Sequence, residues 1–161
     1  MGIFSIFKKK EKFPPFDFSV IRCDIHSHLI PGIDDGSKSL QDSIEMIKEF
    51  KEMGYEKLVT TPHIMSDYYK NTPEIILSGL DKVREEIGKQ GLNFEINAAA
   101  EYYLDEYFMS KIKAKDLLTF GDNYVLFELP FVAEPHSLSE VIFELSSNKL
   151  PFCCSLADES F

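Results

Sequence analysis

Val20-Ile21-Arg22-Cys23-Asp24-Ile25-His26-Ser27-His28 is the stretch from which the rest of the chain is read. Its first six residues, rich in β-branched side chains, predict a short strand ending at Ile25, with two histidines directly behind it. In extended backbone, residues two apart project to the same side, so His26 and His28 can grip one ion. Imidazole suits Mn, Fe, Zn, Ni and Cu. A His-x-His pair is equally served by two surface or capping histidines, so the decision falls to the residues that the chain sets beside it.

The same strand-then-helix unit recurs. Pro31–Gly36 is a loop, and Ser39-Leu40-Gln41-Asp42 resembles a capping box with Asp in place of Glu or Gln. Leu40, Ile44, Ile47 and Met53 fall near one helical face that Gly54 ends. Lys57–Thr61 predicts a second strand, stopped by Pro62. Thr72-Pro73 opens a second helix with stripe Ile76, Leu80, Val83 and Ile87, ended by Gly91. Phe94–Ala100 predicts a third strand, with a short helix over 105–113 behind it. Tyr124–Leu129 predicts a fourth strand, and residues 138–147 a helix carrying Leu138, Val141, Ile142 and Leu145. This alternation predicts an α/β fold with a parallel sheet, either open and doubly wound or a barrel. The absence of a glycine-rich loop after the first strand disfavours a dinucleotide site.

Each predicted strand delivers a His or Glu at its C-terminal end. His26 and His28 end the first, His63 follows the second, Glu101 the third, and Glu128 ends the fourth. In parallel α/β folds that edge is where function is built. Glu101 follows Ala98-Ala99-Ala100 and Glu128 follows Leu126-Phe127, and a carboxylate in such apolar company is costly unless paired or metal-bound. Asp35, in Asp34-Asp35-Gly36, offers a further oxygen, although the same tripeptide makes an ordinary turn. Mixed imidazole and carboxylate ligands point to Mn²⁺, Fe or Zn in a multinuclear cluster. His136, in a loop entering the last helix, is a weak substrate contact at most.

Composition narrows the classes. With 17 Lys plus Arg against 27 Asp plus Glu, the 161-residue chain carries a net charge of −10, which argues against nucleic acid as a partner. No apolar run approaches the ~20 residues of a spanning helix. Residues 1–15 form a basic, apolar tail and a Pro14-Pro15 linker; residues 3–10 could touch an anionic membrane surface weakly, or lie solvated. Cys23, Cys153 and Cys154, odd in number, read as a reduced, cytoplasmic set of small buried hydrophobes. None is followed by the Arg-bearing loop of a cysteine-nucleophile phosphatase.

Asp24-Ile25-His26-Ser27-His28-Leu29-Ile30-Pro31-Gly32-Ile33-Asp34-Asp35-Gly36-Ser37 resembles the opening motif of the PHP (polymerase and histidinol phosphatase) superfamily. More narrowly, it is similar to the CpsB/CapC-type metal-dependent tyrosine-protein phosphatases of bacterial capsule and exopolysaccharide systems. Thr60-Thr61-Pro62-His63, Ala100-Glu101-Tyr102-Tyr103 and Leu126-Phe127-Glu128-Leu129 match later motifs in order, over roughly residues 20–148. The resemblance implies a distorted (β/α)7 TIM-like barrel, of which this chain would hold about four βα units. It implies a centre of three metals, usually manganese, with His26, His28, Asp35, His63, Glu101 and Glu128 as ligands and Glu101 bridging. A metal-bound hydroxide held by Glu101, His26 and His28 would hydrolyse phosphotyrosine on a bacterial polysaccharide-export tyrosine kinase.

The family's next motif, Ala-His-Pro-Glu-Arg-Tyr, is missing where the chain reads Leu150–Phe161. The resemblance therefore leads us to expect residues 16–161 to be the N-terminal part of a phosphatase domain, with its C-terminal part missing and residues 149–161 out of frame. Two alternatives stay open: an inactive relative, and another PHP phosphoesterase such as a histidinol-phosphate phosphatase.

Overall fold

The computed structural model describes residues 20–130 and 137–156. The basic tail, His136 and the last five residues lie outside the described residues. The elements run β1 (Cys23–Ser27), α1 (Leu40–Glu52), β2 (Lys57–Thr60), β3 (His63–Ile64), α2 (Pro73–Lys89), β4 (Glu95–Ala98), β5 (Glu101–Tyr103), α3 (Glu106–Ala114), β6 (Val125–Leu129), α4 (Leu138–Ser147) and β7 (Phe152–Leu156). The fold is mixed α/β, and every pairing between these strands is parallel.

Three strands differ from their sequence reading. The first strand begins at Cys23 and carries His26 and Ser27 inside it, because Arg22 sits at φ 63° and turns Val20 and Ile21 out of line. The second and third each break once, at Thr61-Pro62 and Ala99-Ala100. The halves then join different sheets: β1-β2-β4 and β3-β5-β6-β7. Proline has no N–H to donate to a ladder. Bonds from Thr61 N to Ser27 O (2.7 Å), Ala99 N to Thr60 O (2.9 Å) and Glu101 N to Pro62 O (3.0 Å) carry the pairing across the breaks. His63 and Glu101 therefore open new strands instead of trailing old ones.

Helix signals held more closely. Ser39 Oγ accepts from Asp42 N at 3.1 Å, Thr72 Oγ1 from Ile75 N at 3.4 Å, and Asp105 Oδ1 from Phe108 N at 2.8 Å, each satisfying an otherwise orphaned donor. Two positions of the expected apolar stripes face outward instead: Met53 caps α1 from outside its last turn, and Ile142 lies on the outer side of α4. The core has two parts. Ile44, Ile47, Leu58 and Ile96 pack with Leu80, Val83 and Ile87 of α2; Ile76 of the same helix packs with Tyr102, Phe108, Phe127 and Leu145. Each such aliphatic side chain contributes about 1.5–3 kcal/mol by leaving water, so α2 fastens both regions of sheet with one apolar stripe.

The cysteines correct another expectation. All three are free, but Cys23 and Cys153 are half-buried and Cys154 is exposed, because among the described residues β1 and β7, which carry them, lie at sheet edges.

Candidate metal centre

The ends of β1, β3, β5 and β6 converge with the loop after β1. That loop folds back tightly: Ser37 N donates to His28 O (3.0 Å) and Gly32 N to Ser37 O (2.8 Å). Gly36 must lack a side chain, since a Cβ there would run into the Cβ and carbonyl of His28. Thr60, fully buried, donates from Oγ1 to Ser27 O and accepts from Leu29 N, both at 2.8 Å. One hydroxyl thus pins the backbone on either side of His28.

Glu101 lies at the centre, 1% exposed. Its Oε2 is 3.1 Å from His26 Nε2, 3.2 Å from His28 Nε2 and 3.4 Å from His63 Nδ1. Its Oε1 accepts from Ser155 Oγ. His63 Nε2 lies 3.6 Å from Asp35 Oδ1, and Glu128 Oε2 lies 3.9 Å from His63 Nδ1. Two groups, His26–His28–Glu101 and His28–Asp35–His63, each bring one ligand atom per residue within 4.8 Å of the others. His28 belongs to both.

Asp34 organises this cluster from behind. Its Oδ2 accepts from His28 Nδ1 (2.8 Å) and His63 N (3.1 Å), and its Oδ1 from Gly36 N (3.1 Å). A carboxylate accepting at Nδ1 orients the ring and turns Nε2 toward Glu101. Asn71 Nδ2 donates to His63 O (2.8 Å) and Ile33 O (2.9 Å), tying β3 to the same loop. The Tyr69 ring stacks on His63 at 5.4 Å.

The charges are strongly coupled. Burial alone would pull His28 down, but its bonds to Asp34 and Glu101 prevail and push it up to about 10. The hydrogen bond to Glu101 raises His26 against the pull of burial. Burial works to raise Glu101, yet His26, His28 and Ser155 hold it well below the usual carboxylate range. Burial lowers His63. Burial, then the charges of Glu101 and Asp35, push Glu128 up to about 7.

Do these residues suit a metal? Among the described residues, the buried atoms His63 Nδ1 and Glu128 Oε2 have no hydrogen-bond partner, although both face the cluster. An orphaned imidazole nitrogen beside an orphaned carboxylate oxygen is costly in a dry interior and is satisfied by a cation. The donor set, nitrogen with carboxylate oxygen, matches Mn²⁺, Fe or Zn²⁺.

The structure thus brings His26, His28, Asp35, His63, Glu101 and Glu128 into one cluster. Asp34, Asn71 and Ser155 escaped sequence reasoning. Asp34 had a signal, since the first Asp of Asp34-Asp35-Gly36 bonds backbone two residues on, as such turns do. Ser155 had none, because it meets Glu101 only through sheet order.

Comparison with known proteins follows the same lines. Tyrosine-protein phosphatase YwqE of Bacillus subtilis is 28% identical over 123 residues, covering 76% of this chain and 48% of that protein. The putative tyrosine-protein phosphatase CapC of Staphylococcus aureus is 29% identical over 127 residues, covering 77% and 49%. A chain from the crystal structures of YwqE and of Streptococcus pneumoniae CpsB, described as unique metal-dependent tyrosine phosphatases, superposes with a TM-score of 0.75 at 26% identity. It covers 82% of this chain and 54% of that one. The chain spans about half the length of these relatives. The model of the capsular polysaccharide synthesis family CpsB/CapC matches residues 22–150, and the chain belongs to that family.

Proposed function

We propose that this chain carries the metal-binding part of a protein-tyrosine phosphatase, with His26, His28, Asp35, His63, Glu101 and Glu128 as ligands. The observation that carries the reading is the convergence of three imidazole nitrogens on one buried oxygen of Glu101. Manganese is the metal we favour, in more than one site, since His28 is shared between two ligand groups. The all-parallel pairing of strands alternating with helices supports reading residues 16–161 as opening units of a distorted (β/α)7 barrel. The substrate class is phosphotyrosine on a protein, and the partner a bacterial tyrosine kinase of polysaccharide export.

Divalent cations held there supply Lewis-acid neutralisation of phosphoryl oxygens and a water acidic enough to act at neutral pH. The protein supplies orientation. Asp34 and the Thr60 hydroxyl hold His28 in one orientation and one position, and Asn71 holds the backbone of His63. The Glu101 carboxylate stays ionised at any working pH because two imidazoles and a hydroxyl bond it. Tyr69, stacked on His63, covers the outer side of that ring.

The test is phosphate release from a phosphotyrosine peptide and from histidinol phosphate, with Mn²⁺ added, for the chain and its Glu101→Gln variant. Release from the peptide alone, reduced at least ~100-fold in the variant, is expected from the loss of an ionised central ligand. Release from histidinol phosphate alone would reassign the substrate. Release from neither would leave an inactive relative.

A further inference from the structure

The strand β7 delivers a hydroxyl to the heart of the cluster. Ser155 pairs in register with Glu128 of β6, and its Oγ donates to Glu101 Oε1, the oxygen turned away from the imidazoles. We propose that Ser155 is a positioning residue for Glu101: it locks the carboxylate so that Oε2 alone faces His26, His28 and His63. This rests on the metal reading above and adds a residue that reading does not use.

The geometry makes the role specific. Glu101 is buried and has two oxygens with different surroundings, one meeting three ring nitrogens and one meeting a single hydroxyl. A carboxylate rotates readily about its last torsion, which is broad and roughly two-fold. Fixing one oxygen therefore fixes the other. Without Ser155, Oε1 loses its donor in a site where an unpaired oxygen is costly, and the group is free to turn toward whichever nitrogen is nearest. The Phe127 carbonyl lies 3.4 Å from the same hydroxyl, so Ser155 has a second acceptor on the neighbouring strand and loses the Glu101 bond only by rotating away from it.

Outer partners of this kind are worth about 10–100-fold in metal affinity. The experiment titrates Mn²⁺ into the metal-free chain by calorimetry for the parent, Ser155→Ala, Ser155→Thr and Glu101→Gln, with metal-free melting curves of each. We expect Ser155→Ala to bind Mn²⁺ about tenfold more weakly and to melt lower without metal as Oε1 loses its donor, and Ser155→Thr, which keeps the hydroxyl and suits a strand, to bind within about threefold of the parent and to melt with it. Equal affinity of Ser155→Ala and parent, with Glu101→Gln losing binding, would overturn the proposal while leaving the metal site standing. Loss in Ser155→Thr as large as in Ser155→Ala would also overturn it, since a structural disturbance of β7 would explain both. Unchanged binding in Glu101→Gln would overturn the metal reading and this proposal together.

Discussion

Glu128 and Glu101 are carboxylates about one strand apart with opposite fates. Glu101 meets imidazoles and stays ionised; Glu128 meets other carboxylates and an unpartnered oxygen faces His63. The sign for stability follows. Glu128 titrates near 7 in the metal-free fold against 4.5 ordinarily, so its favourable contribution is present below 4.5 and is lost as pH rises through 7. Glu128→Gln, neutral at every pH, removes this loss. Metal-free melting at pH 5 and pH 8 should therefore show the variant gaining on the parent at the higher pH; parallel profiles would count against the assignment. With Mn²⁺ added the order reverses, because a cation prefers the ionised carboxylate that only the parent offers.

At the scale of elements, the bends at Thr61-Pro62 and Ala99-Ala100 set the site. Each lets a strand end and restart one residue pair later with its next side chain, His63 or Glu101, on the cluster. Thr60 holds the first bend through two bonds. Thr60→Val keeps the shape and removes both, so it should cost about 1–3 kcal/mol and lower metal affinity as His28 loosens. Denaturant midpoints and Mn²⁺ titration check this; a loss of stability with affinity unchanged would free His28 from Thr60. The helices were legible in the sequence because capping residues and apolar periodicity are local. Thr72-Pro73 marks the start of α2 to the residue, and α3 begins one residue after the expected 105. Five of the six clustered positions were legible because His26, His28, His63, Glu101 and Glu128 lie in or beside the predicted strand ends, and Asp35 through its place in the Asp34-Asp35-Gly36 loop. The bend at Ala99-Ala100 was not, since Phe94–Ala100 carries no glycine or proline to mark a break. Neither were Asn71 and Ser155, whose partners are set by which strands lie side by side.

For the molecule as a whole, β1 and β7 are sheet edges among the described residues, and Ile25 and Leu156 are exposed on them at 41% and 75%. Bare parallel edges with apolar side chains favour pairing with another chain. Light scattering across a hundredfold concentration range should show reversible self-association; a constant monomer mass would argue against open edges. The bond between Ser155 and Glu101 has a temporal consequence as well. His26 and Glu101 are 75 residues apart and Glu101 and Ser155 another 54, so the cluster draws on nearly the whole described chain. Contacts of such sequence separation carry the largest loop-closure cost and form late. On the ribosome, β1 through β6 emerge and can pair before the hydroxyl that steadies Glu101 has left the exit tunnel. On the proposed reading of the site, tight capture of a cation then waits on the synthesis of β7.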